Sequence, residues 1–99
     1  MQLPVRYRVV GNTFVDPARD LSMGGMFLSC LSPLPLGTRL EVLLGPSDEA
    51  EPLRLEATVV RVVWGGRRDG RPIEPGMALA FVTLSSIEEQ RLSKLLEAV

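Results

Sequence analysis

The most constraining feature of the sequence is a long alternation of apolar and polar residues that changes phase once. From Leu53 to Val59 the apolar residues occupy every second position, whereas from Val60 to Trp64 they occupy the other set of positions. Such alternation indicates a β-strand with one buried face. A β-bulge at Val59-Val60 would reconcile the two phases and bend the strand strongly, as the strands of a small barrel require. We therefore predict one long strand that serves two sides of a barrel, with Trp64 in its core.

The rest of the chain resembles this strand on a shorter scale. Period-2 stretches separated by Gly, Pro and Asn predict five further strands, and the Asp16-Pro17 pair predicts an edge or a bulge in the second strand. Residues 65–76 contain three Arg and two Pro, which favours a mobile surface loop. The additional strands begin near these positions: Val5, Phe14, Met26, Arg39 and Met77.

The C-terminal residues predict a single helix. The sequence Ser85-Ser86-Ile87-Glu88 is a capping-box pattern, and an apolar stripe follows it. A short helix is marginally stable alone, so we expect it to dock on the barrel. The predicted fold is an all-β, six-stranded antiparallel barrel with one C-terminal α-helix, in a single domain over residues 1–99. The stripe comprises Ile87, Leu92, Leu95, Leu96 and Val99.

Composition excludes several classes of function. The chain has no histidine and one cysteine, Cys30, so it offers neither a His-based catalytic site nor an internal disulfide. Its net charge of −1 and pI near 5.4 argue against binding of a nucleic acid polymer. No segment resembles a signal peptide or a membrane span. We predict a cytoplasmic protein that is not an enzyme and holds no metal or cofactor.

The segment Asp20-Leu21-Ser22-Met23-Gly24-Gly25 is the strongest candidate for a binding site. Asp20 and Ser22 are two residues apart, so on a strand their side chains leave by the same face. The two glycines allow a sharp turn directly before the next strand. A carboxylate and a hydroxyl held above such a turn can accept hydrogen bonds from a planar donor edge such as that of guanine. The alternative is a hairpin whose polar residues only form the turn.

These residues, with others along the chain, resemble a PilZ domain. The resemblance covers nearly the whole chain and includes D-L-S-M-G-G-M-F-L, P-L-P-L-G-T-R-L, L-R-L-E-A-T-V-V-R-V-V-W and G-M-A-L-A-F-V. It implies a six-stranded barrel with a C-terminal helix, and a place in bacterial cyclic di-GMP signalling. The family motif D/N-x-S-x-x-G is matched by Asp20, Ser22 and Gly25, which the resemblance assigns to the guanine.

The second motif of the family, R-x-x-x-R, precedes the first strand, and its arginines contact phosphates and bases. Here the chain begins at Met1, already close to the first strand, so the resemblance implies weak or absent cyclic di-GMP binding. Arg6, Arg8 and Arg19 are the candidates for replacing these arginines, although exposed strand charges that protect an edge would look the same. Arg67 and Arg71 share the R-x-x-x-R spacing but fall in a different loop.

Three hypotheses follow for the function. The first is a PilZ-like regulatory domain that acts mainly by protein–protein contact with a motility, type IV pilus or signalling partner. The second is a genuine cyclic di-GMP receptor that uses Asp20 and Ser22 for guanine and Arg6, Arg8 or Arg19 for phosphate. The third is an unrelated small-barrel adaptor. A homodimer formed through the helix or a strand edge is a further expectation.

Overall fold

The computed structural model describes residues 3–45 and 51–98, and within them the chain forms eight strands and one helix. The elements are β1 Leu3–Val9, β2 Asn12–Leu21, β3 Gly25–Ser29, β4 Arg39–Leu44, β5 Leu53–Val63, β6 Gly66–Arg68, β7 Arg71–Ile73, β8 Gly76–Phe81 and α1 Ser86–Ala98. No cis peptide bond occurs in the described part of the chain.

Six of these strands close into an antiparallel barrel. Its strand order is β1-β2-β3-β8-β5-β4, with β4 returning to pair with β1. The fold class predicted from the alternation of apolar residues is confirmed. The interior holds the inward-facing residues of the six barrel strands, and the most deeply buried include Val5, Leu28, Val42, Leu55, Val59 and Met77.

Two β-bulges bend the barrel. The predicted bulge in β5 is present, because the pairing with β8 shifts between Val59 and Arg61. The sequence predicted an edge or a bulge at Asp16-Pro17, and the bulge of β2 lies slightly further along, where the pairing with β3 shifts between Ala18 and Asp20. Pro17 pairs instead with Pro4 of β1, at a position where β2 has no partner recorded on its other side. A residue without an N–H is tolerated at such an edge.

Residues 66–73 form a two-stranded hairpin rather than the loop predicted from their composition. Strand β6 pairs with β7 from Gly66↔Ile73 to Arg68↔Arg71, and this small sheet is separate from the barrel. Asp69 and Gly70 connect the strands with positive φ angles of 52° and 76°. Two consecutive positive φ angles fit the tight turn that matches the twist of a hairpin. These two short strands contain Arg and Pro instead of alternating apolar residues, so the apolar pattern did not predict that they pair.

Helix α1 begins with the predicted capping box. The N–H of Glu88 donates to Ser85 Oγ at 3.2 Å, and the N–H of Ser85 donates to Glu88 Oε1 at 2.8 Å. Leu92 is fully buried against the barrel, with Leu95 and Leu96 partly buried beside it. Val99 lies outside the described residues.

Two apolar residues were wrongly predicted to be buried. Ile87 is 70% exposed, because it precedes the turn of α1 that packs on the barrel. Trp64 is 67% exposed, because β5 ends at Val63 and the chain leaves the barrel there.

Candidate functional site

The carboxylate of Asp20 is bound to the backbone of the neighbouring strand. Asp20 pairs with Phe27, and its Oδ1 accepts a hydrogen bond of 3.0 Å from the N–H of Phe27. The β-bulge at Arg19 offsets the two strands, and the carboxylate occupies a position that a ladder carbonyl would otherwise fill. This side chain therefore supports the β2–β3 register without any ligand.

Ser22 holds the turn that follows. Its hydroxyl accepts from the N–H of Gly24 and donates to the carbonyl of Gly25, both at 3.3 Å. The N–H of Ser22 also donates to the carbonyl of Gly25 at 2.9 Å. These contacts close the hairpin between β2 and β3. Ser22 remains exposed, so its oxygen is still accessible from outside.

Gly25 is needed because another strand passes very close to it. A Cβ at this position would collide with the backbone carbonyl of Leu79 on β8. Gly24 has open space around it, with Ser22 Oγ as the nearest atom at 3.9 Å from an ideal Cβ. Of the two glycines, Gly25 is therefore the one that packing requires.

Phe27 forms the centre of a cationic cluster on the outer wall of the barrel. Its neighbours Met26 and Leu28 belong to the core, so its own side chain projects to the other face of β3. The ring is nevertheless only 4% exposed. The guanidinium carbons of Arg19 and Arg61 lie 4.5 Å and 5.9 Å from its centroid, within the range of cation–π attraction.

Arg19 also makes an ion pair that fixes its direction. Its Nη1 donates to Glu74 Oε2 at 3.1 Å, and both side chains are nearly half exposed. The Ser29 hydroxyl lies near this carboxylate, and together with the Arg19 guanidinium it holds the pKa of Glu74 below its usual range. An exposed ion pair of this kind contributes little to stability. Its consequence is that Arg19 already has an anionic partner.

Arg6 and Arg8 are not brought to the motif. Arg6 lies opposite Val15 on β2, and Arg8 lies opposite Thr13. Asp20 is five residues further along β2 than Val15, which corresponds to about 16 Å of strand. The Nη2 atom of Arg6 is buried and has no hydrogen-bond partner among the described residues. Among the arginines named from the sequence, only Arg19 lies beside Asp20.

Sequence reasoning missed three residues of this surface. Arg61 could not be assigned to this surface because it follows the bulge in β5. The bulge shifts the register so that Arg61 pairs with Ala78, which on its other side pairs with Phe27. Phe27 was read only as part of an apolar strand, and Glu74 only as part of a loop. The phase change at Val59-Val60 was the one available signal that an outward residue of β5 would be displaced.

A second polar cluster lies between β1 and β2. The hydroxyl of Tyr7 donates to Asp16 Oδ2 at 2.6 Å, and its ring stacks on Phe14 with centroids 5.4 Å apart. Burial, followed by this hydrogen bond, raises the pKa of Tyr7. Burial and the charge of Asp16 likewise raise the pKa of the Cys30 thiol. Both groups therefore stay protonated near neutral pH, which makes Cys30 a poor nucleophile.

Within residues 3–45 and 51–98, no cluster of three or more His, Cys, Asp or Glu side chains is arranged to hold a metal ion. The helix in the same part of the chain is too short and too polar to cross a membrane.

Comparison with solved structures places this fold among known barrels. The PilZ domain of YcgR from Escherichia coli, solved with c-di-GMP, is 19% identical, with a TM-score of 0.66 over 96% of this chain and 80% of that one. The PilZ domain of CeSA from a cellulose-synthesizing bacterium is 19% identical, with a TM-score of 0.68 over 99% and 92%. The Bacillus subtilis inhibitor of motility MotI/DgrA is 17% identical, with a TM-score of 0.67 over 99% and 46%.

A search of curated proteins found no match. A comparison with family models matched the PilZ domain over residues 1–98, almost the full length. PilZ domains are regulatory domains of c-di-GMP signalling rather than enzymes. From the barrel order, the Asp20–Gly25 hairpin and this match, the chain belongs to the PilZ domain family.

Proposed function

We propose that this PilZ domain acts mainly by contact with a protein partner of motility, pilus or signalling machinery, and that it binds cyclic di-GMP weakly or not at all. The observation that carries the proposal is the state of the motif side chains. Asp20 and Ser22 are hydrogen-bonded to their own hairpin, and Arg19 is paired with Glu74. A dianionic ligand would have to compete with Glu74 for the arginine beside the motif.

Isothermal titration with cyclic di-GMP tests the nucleotide part of this proposal. We expect no saturable heat for the unmodified chain, corresponding to a Kd weaker than about 10 μM. Tight saturable binding would contradict weak binding. The Glu74→Ala variant frees Arg19 and is expected to bind more tightly than the unmodified chain. Glu56→Ala, which removes another exposed, ion-paired carboxylate and gives the same net charge, serves as its control.

Photo-crosslinking in the native cells tests the protein-contact part. A photoreactive residue replaces Leu31 in one variant and Val60 in another, since both positions are exposed and apolar. One reproducible cross-linked protein is expected. If no protein is cross-linked at either position or at further exposed positions, the protein-contact role is contradicted. A partner from flagellar, pilus or signalling machinery is the expected class.

A second candidate function is a genuine cyclic di-GMP receptor, favoured by the arginine pair over Phe27. Arg19 and Arg61 converge on one ring beside Asp20, and two guanidinium groups suit two phosphates. In this arrangement Asp20 and Ser22 take the guanine edge and Arg61 takes a phosphate. Binding that Arg61→Ala and Asp20→Ala abolish, and that the Arg6→Ala/Arg8→Ala double variant retains, would establish it.

We also propose that the protein is cytoplasmic and that it forms a homodimer. Residues 12–17 of β2 pair with β1 but not with β3, and they carry the exposed Phe14 and Val15. An open edge of this kind can pair with a second copy. Sedimentation at increasing protein concentration should show a dimer that Val15→Lys dissociates, and a monomer at every concentration would exclude this role for the edge.

A further inference from the structure

The β6–β7 hairpin, residues 66–73, carries an arginine cluster that the barrel does not use. It is a separate two-stranded sheet, and all three of its arginines are exposed. Arg67 donates from Nη1 to the carbonyl of Gly70 at 3.0 Å and so supports the turn. Arg68 and Arg71 make neither an ion pair nor a side-chain hydrogen bond within the described residues.

Arg68 and Arg71 are direct cross-strand neighbours. They flank the Asp69-Gly70 turn as its closing pair, so their side chains leave by one face of the hairpin. Like charges directly opposite each other destabilise a strand pair. The hairpin therefore presents two guanidinium groups side by side in an arrangement that an anion would relieve.

An exposed tryptophan lies at the base of this hairpin. Trp64 is two residues before β6 and is 67% exposed, although large aromatic side chains are normally well buried. Tryptophan and arginine are the residues most enriched where a few contacts carry the energy of a protein interface. Here residues of both types are exposed within a few positions of one another in the chain, which makes the hairpin and Trp64 a candidate contact surface.

The distribution of charge selects the kind of partner. Residues 61–75 contain four arginines against one Asp and one Glu, a net charge of +2, whereas the whole chain carries −1. A nucleic acid or an anionic membrane extends far beyond a small hairpin and would also meet the acidic remainder. A short acidic segment of a protein contacts the hairpin alone, and carboxylates match guanidinium groups in bidentate geometry.

We propose that the β6–β7 hairpin, with Trp64 at its base, binds a short acidic segment of a partner protein. Arg68 and Arg71 hold carboxylates of that segment, and Trp64 packs against an apolar residue within it. This inference rests on the proposed protein-contact function and names the surface that performs it. It does not involve Asp20, Ser22 or the nucleotide.

The single tryptophan of the chain provides a direct readout. The full chain is titrated with a short synthetic peptide of Asp and Glu with one central Leu, and the emission of Trp64 is followed. We expect a saturable blue shift that weakens as salt is raised. The Arg68→Gln/Arg71→Gln variant is expected to lose affinity by about tenfold or more, since two charge-assisted contacts disappear.

The matched control is Arg39→Gln/Arg54→Gln, which removes two exposed strand arginines from β4 and β5 and gives the same net charge. It should retain the affinity of the unmodified chain, and circular dichroism should show both double variants folded. Absence of a saturable shift, equal loss in both double variants, or tighter binding of an oligothymidylate strand or phosphatidylglycerol vesicles would each overturn the proposal.

Failure here is distinguishable from failure of the proposed function. If the peptide does not bind while photo-crosslinking still captures a partner, the hairpin is not the contact surface but the protein-contact function stands. If the peptide binds through Arg68 and Arg71 while no protein is captured and cyclic di-GMP binds tightly, the proposed function is wrong and the chemistry of the hairpin stands.

Discussion

The N–H of Phe27 and the carboxylate of Asp20 form a 3.0 Å hydrogen bond that joins β3 to β2 just after a β-bulge. The same two residues lie at the centre of the surface on which the family motif is found. Asp20 thus has a structural role that does not depend on a ligand. The ring of Phe27 contacts two arginine side chains, Arg19 and Arg61, on the outer face of β3. Ser22 and Gly25 likewise make contacts within the hairpin that need no ligand.

Loss of the Asp20 carboxylate is expected to weaken the fold. Asp20→Ala leaves the N–H of Phe27 without its acceptor, at a cost of about 1–2 kcal/mol in the free energy of unfolding. Asp20→Asn keeps an acceptor oxygen and should cost less. Urea unfolding of the two variants measures the difference, and equal stability of Asp20→Ala and the unmodified chain would refute the structural role.

The two glycines of the motif should differ sharply in tolerance. Gly25→Ala places a Cβ against the carbonyl of Leu79 and is expected to destabilise the fold by about 2–3 kcal/mol, because both backbones must move. Gly24→Ala meets only open space and is expected to change stability by less than about 0.5 kcal/mol. Thermal unfolding of this pair checks the prediction, which fails if the two substitutions cost the same.

A single substitution in the turn between β1 and β2 should increase the stability of the fold. Val10 has a φ of 46° and Gly11 a φ of 82°, and Val10 is 95% exposed. A β-branched residue is strained at positive φ, whereas Asn followed by Gly is the preferred pair in such a turn. Val10→Asn is therefore expected to raise the free energy of unfolding by about 1 kcal/mol.

Val10→Thr is the control for that substitution, since it adds polarity but keeps the β-branch. It should give no gain in the midpoint of chemical unfolding. An equal gain from Thr would attribute the effect to removal of an exposed apolar side chain rather than to backbone strain.

Stability should fall at alkaline pH through Tyr7. Burial and the hydrogen bond to Asp16 raise the pKa of Tyr7 above its ordinary value of 10.0, so the folded state holds the phenol proton more tightly than the unfolded state. This contribution is complete below about pH 10 and is lost as the pH rises from there towards the folded-state pKa. Cys30 adds a loss of the same sign from about pH 9 upward.

Tyr7→Phe separates these contributions. At neutral pH it should be less stable by about 1 kcal/mol, because Asp16 loses its hydrogen-bond donor. Above about pH 10 it should lose less stability than the unmodified chain, whereas Cys30→Ala should retain the loss due to Tyr7. Urea unfolding near neutral pH and near pH 11 measures both, and parallel decline in all three proteins would exclude Tyr7 as the source.

Much of the fold could be predicted because strand alternation reports burial directly. The six barrel strands, the bulge after Val59, and the capping box at Ser85 and Glu88 follow from local patterns that the tertiary structure leaves intact. The β6–β7 hairpin could not be found in this way. Both of its faces are largely exposed, so its residues carry no apolar period, and only the Asp69-Gly70 turn marks it.

Local patterns could not predict burial at the ends of elements. Trp64 and Ile87 are apolar and follow the right period, yet both are exposed. Trp64 follows the end of β5, and Ile87 precedes the part of α1 that packs on the barrel. Periodicity predicts which face of a strand or helix a residue occupies. It does not predict how far along the element another part of the protein covers that face.

The sequence by itself determined the family, the barrel with its helix, and the Asp20–Gly25 hairpin, because each follows from residue types and their spacing along the chain. Only the tertiary structure decided which arginines accompany that hairpin. Bulges in β2 and β5 bring Arg19 and Arg61 to Phe27, while strand register keeps Arg6 about 16 Å and Arg8 about 23 Å of strand away from Asp20. The reason is that cross-strand neighbours are set by register, and one inserted residue changes which side chains meet.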